Sequence, residues 1–138
     1  MARLMSLLLV GVLLPALGSG CSRADDSLAG TQWRLTGWTL SSLSPADFTI
    51  TAAFADGRIS GRSAVNSYGG PYEAGSGSSF SVGQLASTRM AGPEPAMRAE
   101  GAYMTLLAQA RSYEVREDRL TLFDAGGNES LLFAAAVG

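Results

Sequence analysis

Between Thr31 and Phe133 the apolar residues recur at a spacing of two almost everywhere, in short runs separated by Gly, Pro, Asn, Asp and Ser. One stretch alone changes to helical spacing, through Ala96, Ala99, Tyr103, Leu106, Leu107 and Ala110. A period of two buries one face of a pleated strand, and a period near 3.6 buries one stripe of a helix. The order is strands, one helix, then strands. It restricts the chain to an antiparallel sheet curled around or against a single helix, a mainly β (α+β) fold.

The individual runs support this. Trp33, Leu35 and Gly37 alternate with Arg34, Thr36 and Trp38. A loop with Pro45 follows. Phe48, Ile50, Ala52 and Phe54 then share a face, and Asp56-Gly57 is a hairpin signal before Arg58-Ile59-Ser60. Gly61 to Ser79 reads as a turn-rich meander with Tyr68 and Tyr72 interleaved, and Gly75–Ser79 as its flexible tip. Phe80-Ser81-Val82 resumes strand alternation. Pro93-Glu94-Pro95 suits a helix start, so the helix is expected over about residues 94–110, with Arg111 at its negative end. Gly101 inside it suggests close packing against a neighbour. Two hairpins follow, turning at Glu117-Asp118 and at Asp124–Asn128.

The start of the chain carries an address. Arg3, the apolar run Leu4–Leu17, and then Gly18, Ser19 and Gly20 describe an export leader. The single cysteine, Cys21, stands at its exit, as in a bacterial lipoprotein signal. Gly18 occupies the place three before the cysteine where such signals usually carry leucine. A plain secretory leader with Cys21 as a stray thiol is the alternative. A membrane span is disfavoured, since the run is shorter than the roughly 20 apolar residues a span needs. The expectation is residues 1–20 as signal peptide, 21–29 as a polar tether and 30–135 as one domain. The protein would be exported and lipid-anchored at Cys21 on the extracytoplasmic side of a bacterial membrane.

Composition narrows the chemistry. Without residues 1–20 the formal charge moves from −2 to −3, because Arg3 is lost. That gives no electrostatic case for nucleic acid or anionic lipid. There is no histidine and no cysteine after Cys21. Ser-His-Asp and Cys-His catalysis are thereby excluded, as are the usual zinc ligands. No phosphate-cradling glycine loop and no alternating acidic loop for calcium is present. No cofactor, no metal and no enzymatic activity is expected.

Two segments are more specific. One runs Ser60-Gly61-Arg62-Ser63-Ala64-Val65-Asn66-Ser67-Tyr68-Gly69-Gly70-Pro71-Tyr72. The other runs Leu85-Ala86-Ser87-Thr88-Arg89-Met90-Ala91-Gly92-Pro93-Glu94-Pro95-Ala96-Met97, with Glu100 beyond. With Trp33 and the closing Leu120-Thr121-Leu122-Phe123-Asp124, they resemble the META domain, or HslJ-like, family over roughly residues 30–135. The resemblance implies a barrel-like antiparallel sheet with a packed helix in a small envelope protein. It implies association with stress or antibiotic tolerance and envelope maintenance, and no established reaction; the anchor and tether add the expectation of an envelope protein partner. Asn66, Tyr68, Gly70, Tyr72, Thr88, Arg89, Met90 and Glu100 match motif positions. They read as architectural, with Arg89 and Glu100 as a candidate ion pair. Val65 and Gly92 stand where the family often has two cysteines. Their joint replacement implies that these two positions are neighbours in space. A module binding a small apolar ligand or inhibiting an enzyme, with the glycine-rich loop Tyr68–Ser79 as its surface, is the alternative function.

Overall fold

The computed structural model describes residues 26–39 and 42–136. Cys21, the apolar leader and the first tether residues lie outside them. The strands are β1 (Gln32–Trp38), β2 (Thr51–Ala55), β3 (Arg58–Arg62), β4 (Ser67–Ala74), β5 (Phe80–Val82), β6 (Ala86–Ser87), β7 (Ser112–Arg116), β8 (Arg119–Phe123) and β9 (Glu129–Ala135), with helix α1 (Glu94–Gln109) between β6 and β7.

The strands pair antiparallel in the order β5-β4-β3-β2-β1-β9-β8-β7, and β6 adds to β4 beside β5. The Phe80 N–H donates to the Arg111 carbonyl at 2.9 Å, and Ser79 bridges Ser112. These contacts bring β5 to β7, so the sheet curls into a nearly closed barrel. The mainly antiparallel, barrel-like sheet with one helix is the fold the sequence pattern implied. Near closure also protects the two edge strands, which would otherwise offer unpaired backbone groups to other chains.

The period-two residues face inward as expected. Trp33, Leu35, Ile50, Ala52, Phe54 and Ile59 are buried, and Arg34, Thr36 and Arg58 are not. The helix turns Ala99, Tyr103, Leu106 and Leu107 onto this core. Tyr103 is wholly buried, with its ring edge-on to Tyr68 at 5.5 Å and to Phe133 at 6.4 Å. Burying one such large side chain contributes about 1.5–3 kcal/mol. At the far end of the helix, Arg111 donates to the Ala108 and Ala110 carbonyls, at 3.0 and 2.8 Å, and so satisfies groups the helix leaves open.

Two expectations need correction. Gly101 does not mark close packing: a Cβ there would meet nothing within 4 Å, since the residue lies on the exposed side of α1. Within Gly75–Ser79 the chain makes a 3-10 turn at Ser76–Ser78. The stretch read as tether is integrated into the domain from Asp26 onward. Leu28 is fully buried, and the Asp26 carboxylate accepts from the Tyr72 hydroxyl at 2.8 Å. One buried leucine in a polar stretch was too short a signal to separate from a linker.

Candidate functional site

The two motif segments meet at one end of β4, and Asn66 joins them. It sits in the turn between β3 and β4, only 2 % exposed. Its side-chain oxygen accepts from the Met90 N–H at 2.7 Å and from the Thr88 hydroxyl at 2.9 Å. Its side-chain nitrogen donates to Glu100 Oε2 at 2.8 Å and to the Met90 carbonyl at 3.2 Å. A buried amide has two donors and two acceptor lone pairs, and here all four are used. One side chain thus holds the loop before α1 by both backbone groups of Met90 and ties it to the helix through Glu100.

Glu100 receives the remaining bonds of the turn. Its Oε1 lies 2.8 Å from the Asn66 N–H, 3.3 Å from the Val65 N–H and 2.8 Å from the Ser63 hydroxyl. The Ser63 hydroxyl also lies 3.0 Å from the Asn66 carbonyl. Burial alone would push the Glu100 carboxyl up. The bonds from Asn66, Ser63 and Val65 more than offset this and hold it below its ordinary value. The carboxylate therefore stays ionised and serves as a multiple acceptor. The expected Arg89–Glu100 ion pair is not formed: Arg89 is exposed and has no ion-pair partner among the described residues.

Close backbone approaches explain the glycines. A Cβ on Gly61 would lie 2.2 Å from the Thr51 carbonyl oxygen, and one on Gly70 would lie 2.6 Å from that of Gln84. A Cβ on Gly92 would lie 2.7 Å from a Val65 methyl, so Val65 and Gly92 are neighbours, as the paired loss of cysteines implied. Ala64 adopts φ +89°, a left-handed conformation that favours glycine.

The two motif tyrosines belong to separate networks. The Tyr68 hydroxyl donates to the Thr51 carbonyl at 2.6 Å, so the Tyr103 hydroxyl, 2.6 Å away, donates to Tyr68. Burial pushes both phenols well above their ordinary value. Tyr72 lies toward the opposite end of β4, beside a surface cleft of about 720 Å³ lined by Asp26, Glu73, Phe80 and Arg111. Burial, reinforced by the Asp26 hydrogen bond, raises its phenol too. Tyr72 and Asp26 satisfy each other, and Arg111 is bonded to helix carbonyls. No cluster of three acidic or thiol side chains placed to hold a metal ion occurs among the described residues.

The structure thus gathers Asn66, Thr88, Met90 and Glu100 at one locus. Tyr68 and Gly70 lie along β4, Tyr72 is toward its far end, and Arg89 is on the surface. Sequence reasoning missed Ser63 and the hydroxyl role of Tyr103. Their polar partners come from distant segments and leave no local spacing to read.

The class these features define is a small antiparallel barrel with one helix docked by a clamp of buried Asn66 and half-buried Glu100. A META domain model matches residues 26–137, and the chain belongs to the META domain family. A protein from Burkholderia xenovorans solved by NMR is 28 % identical, with a TM-score of 0.68, over 84 % of this chain and 88 % of that one. A DUF4847 family protein from Bacteroides vulgatus, at 14 % identity, shares the fold, with a TM-score of 0.58 over 80 % of this chain and 96 % of that one. A further NMR structure at 19 % identity shares it with a TM-score of 0.55 over 78 % and 90 % of the two chains. No curated protein matches the sequence.

Proposed function

We propose that this META-domain protein is exported and lipid-anchored at Cys21 to the extracytoplasmic side of a bacterial membrane. There it acts by binding an envelope protein, not by catalysis, and contributes to envelope maintenance or to stress and antibiotic tolerance. The observation that carries the non-catalytic reading is the state of Glu100. It is the one carboxylate in the motif cluster, and its oxygens accept four inward-directed donors. A proton-transfer group near neutral pH needs the opposite tuning, with a raised pKa and a free oxygen facing a substrate. The anchor rests on the leader and on Cys21 at its exit.

A small apolar ligand inside the barrel has less support. Tyr103, Phe54, Leu107, Leu120 and Leu131 are fully or almost fully buried and belong to one packed core.

The test is a deletion strain challenged with heat and envelope-directed antibiotics, complemented with wild type or Cys21→Ala. The expected result is sensitivity rescued by wild type, with Cys21→Ala released from the membrane fraction or left uncleaved and failing to rescue. Wild-type resistance in the deletion strain would overturn the envelope role. A Cys21→Ala protein that stays membrane-bound and normally processed would overturn the anchor.

A further inference from the structure

The Asn66–Glu100 clamp holds something besides the fold. Met90 is gripped by both backbone groups, yet its side chain is 55 % exposed. Met97, on the first turns of α1, is 37 % exposed, and these two are the exposed large apolar side chains among the described residues. Fixing the backbone beneath an exposed apolar side chain lowers the entropy lost when a partner covers it. Methionine is the apolar side chain best suited to repacking against a partner surface.

Three arginines lie near the pair in sequence or strand register. Arg89 precedes Met90 and Arg98 follows Met97. Arg62 is the register partner of Ser67, whose backbone pairs with Thr88. All three arginines are exposed, and among the described residues none makes an ion pair. The exposed acids on this side are Glu94 and Asp47, the latter two residues before Thr49, whose carbonyl accepts from the Ala64 N–H. Asp56 and Glu73 lie toward the other end of β4, as does Asp26. A protein with net negative charge thus has three arginines without ion pairs near its two exposed methionines, against two exposed acids.

We propose that the Met90–Met97 surface, with Arg62, Arg89 and Arg98 near it, docks an acidic protein segment: apolar side chains flanked by carboxylates. This inference rests on the reading of the chain as an anchored binding protein and names the chemistry of its partner. A protein segment fits better than the lipid surface because of where the tether leaves. Asp26 bonds Tyr72, six residues along β4 from Asn66, which separates the two ends by roughly 20 Å at strand rise. Five residues from Cys21 to Asp26 span at most about 17 Å. The methionine surface therefore lies farther from Asp26 than the extended tether reaches.

The experiment places a photo-crosslinking amino acid at position 90 of the full chain in its own host, with position 56 as the control, and maps the captured segment. Purified protein is also titrated with two synthetic probes: a leucine-rich peptide carrying Asp and Glu between the leucines, and its counterpart with lysine at every acid. The expected result is capture at position 90 of a protein segment rich in acids and leucine, absent at position 56. The acidic probe should bind more tightly than the basic one, and Met90→Ser and Arg89→Glu should each weaken it about tenfold, the effect of removing one interface anchor. Both side chains are exposed, so both variants should keep the wild-type melting temperature, which separates lost docking from lost fold. Equal capture at both positions, capture of lipid or of a second copy, or no preference for the acidic probe would overturn the proposal. Fractionation of the same cells tests the anchor separately: a membrane-bound chain without capture at position 90 removes the docking surface and leaves the anchor standing.

Discussion

Changing Val65 and Gly92 together to cysteine should create a disulfide that stabilises the domain, and the structure fixes the terms. A Cβ built on Gly92 lies 3.5 Å from the Val65 Cβ. That is at the short end of the roughly 3.5–4.5 Å a disulfide spans. The Val65 methyls lie 2.7 and 3.1 Å from that Cβ, so Gly92→Cys alone meets a clash that Val65→Cys removes. The bridge would close a loop of 28 residues. Chain-entropy reasoning assigns such a loop about 3–4 kcal/mol, with roughly 1 kcal/mol lost beforehand to truncation of valine. In a Cys21→Ser background only two thiols remain. The oxidised protein should then melt about 10 °C or more above its own reduced form, and Gly92→Cys alone should melt below wild type. Two thiols that stay titratable in the folded protein after oxidation, or a crosslinked form no more stable than the reduced one, would refute the assigned geometry.

Further outcomes follow from the same contacts. Glu100→Gln should cost about 1.5–3 kcal/mol at neutral pH, the range for hydrogen bonds to a charged group. Because the folded value of Glu100 lies below its ordinary 4.5, its contribution is full above that value and vanishes as pH falls through the depressed one. The stability gap between wild type and Glu100→Gln in urea should therefore narrow only below pH 4.5. Tyr68, Tyr72 and Tyr103 have folded values raised above the ordinary 10.0, so their protonated forms stabilise the fold below that pH and the contribution is lost above it. Spectrophotometric titration should show these phenols ionising together with unfolding, not before it. Ala64→Gly should stabilise by about 0.5–1 kcal/mol by relieving the left-handed alanine, and Gly101→Ala by about 1 kcal/mol in open space on the helix. Thermal unfolding of each variant checks both.

The sheet and the helix were legible because their periodicities are local. Phe48 to Phe54 and Tyr113 to Leu122 announce strands, and Ala96 to Ala110 announces the helix. Asn66 and Glu100 were legible as motif positions but not as partners. Charge attraction pairs Glu100 with Arg89, the cation within the second motif segment. The fold instead turns Glu100 inward onto backbone N–H groups of the Ser63–Asn66 turn, which no side-chain pattern announces. Gly101 was misread for a related reason: a helical glycine looks the same in sequence whether it meets a neighbour or open solvent. Asp26 and Leu28 were hidden in a polar stretch whose partner, Tyr72, lies 46 positions away.

The central claim is that Asn66 and Glu100 act as one clamp between the strand turn, the Met90 loop and the helix. A double-mutant cycle of Asn66→Ala and Glu100→Gln, read by urea unfolding, measures it directly. The account predicts that each single change destabilises the domain and that the double change costs less than their sum, with a coupling of about 1–3 kcal/mol, as expected for two residues in one buried network. Additive effects, or an Asn66→Ala variant as stable as wild type, would contradict it.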